Sequence, residues 1–254
     1  KNAGGTISTG NDNIAIGNDA MNGGTTTGDN NIAIGVSAGD ALTSGYNNVL
    51  VGKEAGPGMT ASNRNVGVGA YALRDGTSSA QLNVAVGSYA GYNITSGIGN
   101  VMLGYSTATS AVGDDYSIVI GYGVTAVGGS NTATIGNDSL TDVYMSSDNG
   151  ATVHCAAVVE GSSLEIKTNI SEIESPLEKI SKLRGIEFDY KETDEHSIGM
   201  VAEEVNEVFP ELVSKDEDGK VQAMSYSRMT AVLLEAIKEL NQEVKELKMK
   251  NRSN

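Results

Sequence analysis

The chain has 254 residues, a formal net charge of −15, 32 glycines, one cysteine, two phenylalanines and no tryptophan. Such an acidic chain disfavours a phosphate-backbone partner, and the lone Cys155 rules out an internal disulfide and fits assembly in a reducing cytosol. The scarcity of Phe and Trp argues against a large aromatic core.

No apolar run approaches membrane-spanning length and no signal-peptide pattern opens the chain. Lys1 stands where a start methionine would, so the sequence is expected to be a fragment, with any activity of an upstream domain lying outside it. Composition divides it. Residues 1–150 hold 28 of the 32 glycines, with only 4 basic and 11 acidic residues; residues 151–254 hold 13 basic and 21 acidic residues.

The first part repeats. Asn-(Ile/Val)-x-(Ile/Val/Leu)-Gly occurs as Asn13–Gly17, Asn31–Gly35, Asn48–Gly52, Asn65–Gly69, Asn83–Gly87 and Asn100–Gly104, with degenerate copies at Ser117–Gly121 and Thr132–Gly136. The closing glycines lie 18, 17, 17, 18, 17, 17 and 15 residues apart, and Ala20, Ala38, Ala55, Ala72 and Ala90 each fall three residues past one. Each unit reads as a short strand, a tight bend at glycine, a small-residue segment and a polar turn. One unit cannot bury its apolar face alone but a stack can, so a β-solenoid is expected, roughly 35–40 Å long at about 4.8 Å per coil. The repeated Asn residues predict an amide ladder that sets coil register; a glycan- or ion-binding row is the competing reading. Asp does not recur with the period, which argues against calcium, and Gly67-Val68-Gly69-Ala70 is a copy of the repeat rather than a dinucleotide loop.

These units resemble the left-handed parallel β-roll heads of YadA-like trimeric autotransporter adhesins over roughly residues 10–136. The resemblance implies a trimer. Residues 125–150 read as the fading end of the solenoid, and 151–161 as a connector.

The last part is charged. Ser171 to Leu183 reads as an amphipathic helix, Gly185 to Tyr190 as a strand, Thr193 to His196 as a turn and Ser197 to Ala202 as a strand or helix entry. Glu203 to Phe209 reads as a helix stopped by Pro210. A hairpin turn over 216–220 leads into a strand over Val221 to Tyr226. A long helix then runs from Ser227 to about Lys250. Its Leu233, Ile237, Leu240, Val244 and Leu247 step by heptad spacing, with Glu239, Glu243, Lys245 and Lys248 flanking them. Packing of that helix on its own domain is the alternative. His154 and His196 have no partners at metal-ligand spacing and read as structural or exposed; no metal or cofactor is expected.

Gly185–Tyr190, Ile198–Val213, Tyr226 and Leu233–Leu240 together resemble the C-terminal intramolecular chaperone domain of phage endosialidase tailspikes and tail fibres. That domain, over 162–254, implies an α+β fold ending in a trimeric coiled coil. It also implies a chaperone that assembles the upstream β-structure and then cuts itself off with a serine and a lysine. The family's junction motif Ser-Asp-x-Arg-x-Lys falls on Ser162 to Lys167, where Ser163 replaces the Asp and Glu165 the Arg. The junction is then Gly161, Ser162 and Ser163, with Ser162 as nucleophile and Lys167 as base.

The residues alone are less committal, since a linker serine and lysine five apart are ordinary surface groups. In an α-helix they would stand about 140° apart, so a productive pair requires a turn or an extended segment. Lysine is a base only when neutral, and Glu165 works against that.

The expected function is a phage tail fibre or appendage fragment: a homotrimeric β-roll shaft with a C-terminal chaperone acting as a single-turnover Ser-Lys autoprotease. It would be assembled in the host cytoplasm and carried on the virion. Its partners would be other fibre proteins and a host-surface glycan or receptor, with no nucleic acid or membrane. The alternatives are a structural fibre that never cleaves, and an adhesin-like surface protein.

Overall fold

The computed structural model describes residues 2–141, 143, 155, 158, 161–191, 194–216 and 218–252. The chain divides into two compact units, Lys1–Val153 and His154–Asn254.

The first unit is a parallel β-solenoid. Its strands are β1 (Ile14–Ile16), β2 (Ile32–Ile34), β3 (Val49–Val51), β4 (Val66–Val68), β5 (Val84–Val86), β6 (Val101–Leu103), β7 (Ile118–Ile120) and β8 (Ala133–Ile135). They pair in chain order as one parallel sheet of eight strands, hence seven turns. Register is strictly in step: Val49 faces Val66, Val66 faces Val84, and Val84 faces Val101. Both degenerate copies of the repeat still form rungs.

Which side of each strand is buried differs from expectation. The coil interior takes the middle residue of each strand: Ala33, Leu50, Ala85, Met102 and Val119 are fully buried. The flanking β-branched pair points outward, and Ile14, Ile16, Val86, Ile118 and Ile135 remain 40–57% exposed. Pleating sends residues i and i+2 to the same side, so only one side chain per three-residue strand can enter. The interior is narrow because the Ala three residues past each of the first five closing glycines is also fully buried inside it, and Met21, Leu42, Met59, Leu73 and Ile94 fill what remains. Stacking therefore buries the middle position of each strand and leaves the Ile/Val stripe of this chain half-buried to exposed.

The closing glycines are required. Gly69 has φ +134°, and a Cβ there would stand 2.4 Å from the carbonyl oxygen of Gly87 on the next rung. The Asn row forms the expected ladder. Asn48 Nδ2 and backbone N–H both donate to Asn31 Oδ1, at 3.0 and 3.1 Å, and Asn65 does the same to Asn48 at 3.1 and 3.0 Å. Each Nδ2 also donates to a turn carbonyl, as Asn48 does to Ser62 at 2.7 Å. Asn31, Asn48, Asn65, Asn83 and Asn100 are fully buried, and these bonds meet the cost of burying amides.

In the second unit, α1 covers only Pro176–Ile180, shorter than the expected helix over 171–183. Proline disfavours helical conformation in the residue before it; Ser175 is left-handed (φ 46°, ψ 51°), so the helix starts at Pro176. Strands β9 (Ile186–Asp189) and β10 (His196–Gly199) form an antiparallel pair. Helix α2 (Ala202–Val208) ends at Phe209, and Pro210–Leu212 continue as a 3-10 turn.

Strands β11 (Val213–Lys215) and β12 (Val221–Met224) form a second hairpin. Tyr226 opens α3 (Tyr226–Arg252) rather than ending the strand. Val205, Phe209, Leu212, Met229 and Val232 make the core of this unit. Of the expected connector over 151–161, only Cys155, Val158 and Gly161 are among the described residues; His154, Thr193 and Glu217 lie outside them.

Candidate self-cleavage site

Ser162 and Lys167 are joined by a single 3-10 turn, Leu164–Ile166. Ser163 enters it extended (φ −62°, ψ 146°) and its Oγ accepts the Glu165 N–H at 3.3 Å. The Ile166 N–H donates to the Ser163 carbonyl at 3.3 Å and the Lys167 N–H to the Leu164 carbonyl at 3.2 Å. Lys167 leaves the turn extended (φ −116°, ψ 138°). One tight turn between two extended residues folds the segment back on itself, as a five-residue step along an α-helix would not. Lys167 Nζ lies 2.6 Å from Ser162 Oγ.

In this arrangement the lysine donates to the serine hydroxyl. General-base catalysis needs the reverse, a neutral amine accepting the Oγ–H. Ser162, Ser163, Glu165 and Lys167 are all exposed, so the desolvation that would neutralise Lys167 has to come from outside this segment. On the other side of the junction, Gly161 lines a cavity of about 550 Å³ with Leu212, Val213, Met224, Ser225 and Arg228.

Helix α3 has 27 residues, about 40 Å of helix. One face, Met229, Val232 and Ala236, is buried in its own unit. The neighbouring seam, Leu233, Ile237, Leu240, Val244 and Leu247, is 36–63% exposed. The helix thus packs on its own domain and still presents a second apolar stripe. Glu239 is occupied within the chain: its Oε2 accepts the Leu177 N–H in the first turn of α1 at 3.0 Å. Sequence reasoning missed that contact because it joins residues 62 apart.

His196 Nδ1 lies 2.9 Å from Asp189 Oδ1 across β9 and β10, and both side chains are exposed. Among the described residues no His, Cys, Asp and Glu cluster could hold a metal ion, and no helix is long and apolar enough to cross a membrane.

Residues 162–214 match the family model described as chaperone of endosialidase. The match opens on Ser162 and spans the turn, α1, α2 and both strands of the first hairpin. That segment of the second unit is thus similar to the chaperone of endosialidase. Between 44% and 62% of the chain is similar to phage long tail fibre proteins. It is 32% identical over 162 residues to the long tail fiber protein Gp37 of Enterobacteria phage T2, covering 56% of this chain and 12% of that protein. It is 27% identical over 174 residues to the Gp37 of Salmonella phage S16, covering 62% and 23%. With the Gp37 of Enterobacteria phage Ox2 it shares 32% identity over 122 residues, covering 44% and 43%. The chain therefore spans about an eighth of the phage T2 protein and less than half of each of the others. No solved structure matches it.

Proposed function

We propose that this chain is a tail fibre segment of a phage virion, assembled as a homotrimer by its C-terminal unit, which then releases itself at Ser162. The observation that carries the reading is the 2.6 Å approach of Lys167 Nζ to Ser162 Oγ inside the matched family segment. Two further features support it. The solenoid's outward Ile/Val stripe and the seam of α3 are apolar surfaces that a second and third copy would cover. Parallel β-rungs also invite one-unit slips that bury nearly equal surface, so a clamp at one end helps set register.

The chemistry follows from the connectivity. Attack of Ser162 Oγ on the Gly161 carbonyl carbon closes a five-membered ring, whereas attack on its own carbonyl would close a strained four-membered one. Neutral Lys167 takes the hydroxyl proton. The Gly161–Ser162 C–N bond breaks, its nitrogen is protonated to the amine of Ser162, and an ester joins Gly161 to the serine oxygen. Water then hydrolyses the ester, leaving a Gly161 carboxylate and a free Ser162. The reacting groups are in one chain, which supplies a high effective concentration. Losing the chaperone would leave the shaft without its refolding aid and kinetically trapped.

The exposure of Lys167 favours a second reading, a fibre that keeps its chaperone. Denaturing gels separate the two. The wild-type chain should yield a band for 162–254, and the Ser162→Ala and Lys167→Ala chains should stay at 26.2 kDa. A wild-type chain that stays whole, or a Ser162→Ala chain that is still cut, overturns self-release.

A further inference from the structure

We infer that Ser163 is a positioning residue for self-cleavage, acting through the turn that holds Lys167 against Ser162. The inference rests on the self-release reading above. The turn contains no buried residue, and Leu164 and Ile166 are 73% and 69% exposed. Packing therefore does not set its shape, and hydrogen bonds must. Three do so: Ser163 Oγ with Glu165 N–H, Ser163 O with Ile166 N–H, and Leu164 O with Lys167 N–H. Only the first involves a side chain.

The Glu165 N–H is a first-turn donor with no partner inside the turn, the group that a capping oxygen satisfies. With that bond made, the chain turns immediately after Ser163, and Lys167 Nζ arrives 2.6 Å from Ser162 Oγ. Without it, the exposed segment can open to extended conformations that carry Lys167 away from the hydroxyl. Ser163 touches neither reacting atom, so its effect is on the fraction of chains holding the reactive geometry. Asp or Thr would make the same bond; Ala cannot.

The test uses the full chain, translated in a pulse and chased, with the fragment 162–254 followed in time. Ser163→Ala should slow its appearance about five- to tenfold, the population change expected from losing one capping bond. Ser163→Asp and Ser163→Thr should restore the wild-type rate. The sedimentation and melting of uncleaved Ser162→Ala chains should be the same with and without Ser163→Ala, because the turn has no buried residue. Wild-type-rate cleavage by Ser163→Ala overturns the inference and leaves self-release standing. Equal slowing by Ala, Asp and Thr also overturns it, since the position would then sense bulk beside the nucleophile rather than a cap. A wild-type chain that never cleaves overturns both.

Discussion

Replacing Asn65 by Ala removes the middle of the amide ladder. Asn65 Nδ2 donates to the Ala80 carbonyl at 2.9 Å and to Asn48 Oδ1 at 3.1 Å, and its Oδ1 accepts the Asn83 N–H at 3.0 Å and Asn83 Nδ2 at 3.1 Å. Asn48, Asn65 and Asn83 are all fully buried, so water cannot replace these partners without opening the coil. The Ala80 carbonyl and the Asn83 N–H lose the side-chain partner each has in the ladder. At about 1–3 kcal/mol for each such group, the cost is roughly 2–6 kcal/mol per chain. Asn63 is the matched control, two residues earlier on the same rung. Its Oδ1 accepts the Tyr46 N–H at 3.1 Å at the rim, where solvent can substitute, so Asn63→Ala should cost no more than about 1 kcal/mol. Urea unfolding followed by circular dichroism, at fixed chain concentration, reads the difference. With an m value of roughly 3 kcal/mol/M, the Asn65→Ala midpoint should fall by about 0.7–2 M. Equal midpoints for the two variants would refute the ladder as the device that holds the rungs in register.

Gly69→Ala should prevent a folded solenoid, because its Cβ would meet the Gly87 carbonyl oxygen at 2.4 Å, whereas Gly123→Ala, with φ +62° and nothing within 4 Å, should cost only about 1 kcal/mol; soluble yield and melting of the two variants check this. Ile237→Asp on the seam and Val68→Asp on the outward stripe should each lower the sedimenting mass, while Leu234→Asp, exposed but off the seam, should not. The Asp216 carboxyl is held below its ordinary range, first by the Lys220 backbone N–H and then by Gln222 and the Asp218 N–H. A depressed folded value stabilises the β11–β12 hairpin above the unfolded value and is lost as pH falls through the folded one. Amide protection in the hairpin, corrected for the intrinsic exchange rate at each pH, should therefore fall below roughly pH 4, and Asp216→Asn should abolish that acid limb.

Much of the solenoid was legible because its determinants are local and repeated. Asn-x-x-x-Gly fixes strand, bend and ladder within five residues, and eight strands in register follow from the period. The direction of the Ile/Val pairs was not legible. An apolar-x-apolar strand has two faces, and only the width of the coil decides that Ala33 and Leu50 go in while Ile32 and Val49 go out. In the second unit, heptad spacing located the exposed seam of α3 but not its buried face, since Met229 and Val232 join the core of Val205, Phe209 and Leu212 and α3 packs on α1, both of which depend on residues distant in sequence. The shortening of α1 was readable from Pro176 alone. The approach of Lys167 to Ser162 depends on a capped turn that residue spacing does not encode. Ser163, a departure from the family motif at first sight, keeps a capping oxygen at that place.

The identity of the cut bond tests the central claim most directly. Intact-mass spectrometry of the wild-type chain after assembly should find two species, one ending in Gly161 and one beginning with an unmodified Ser162. A single species of 26.2 kDa, or a new terminus anywhere else, would contradict it.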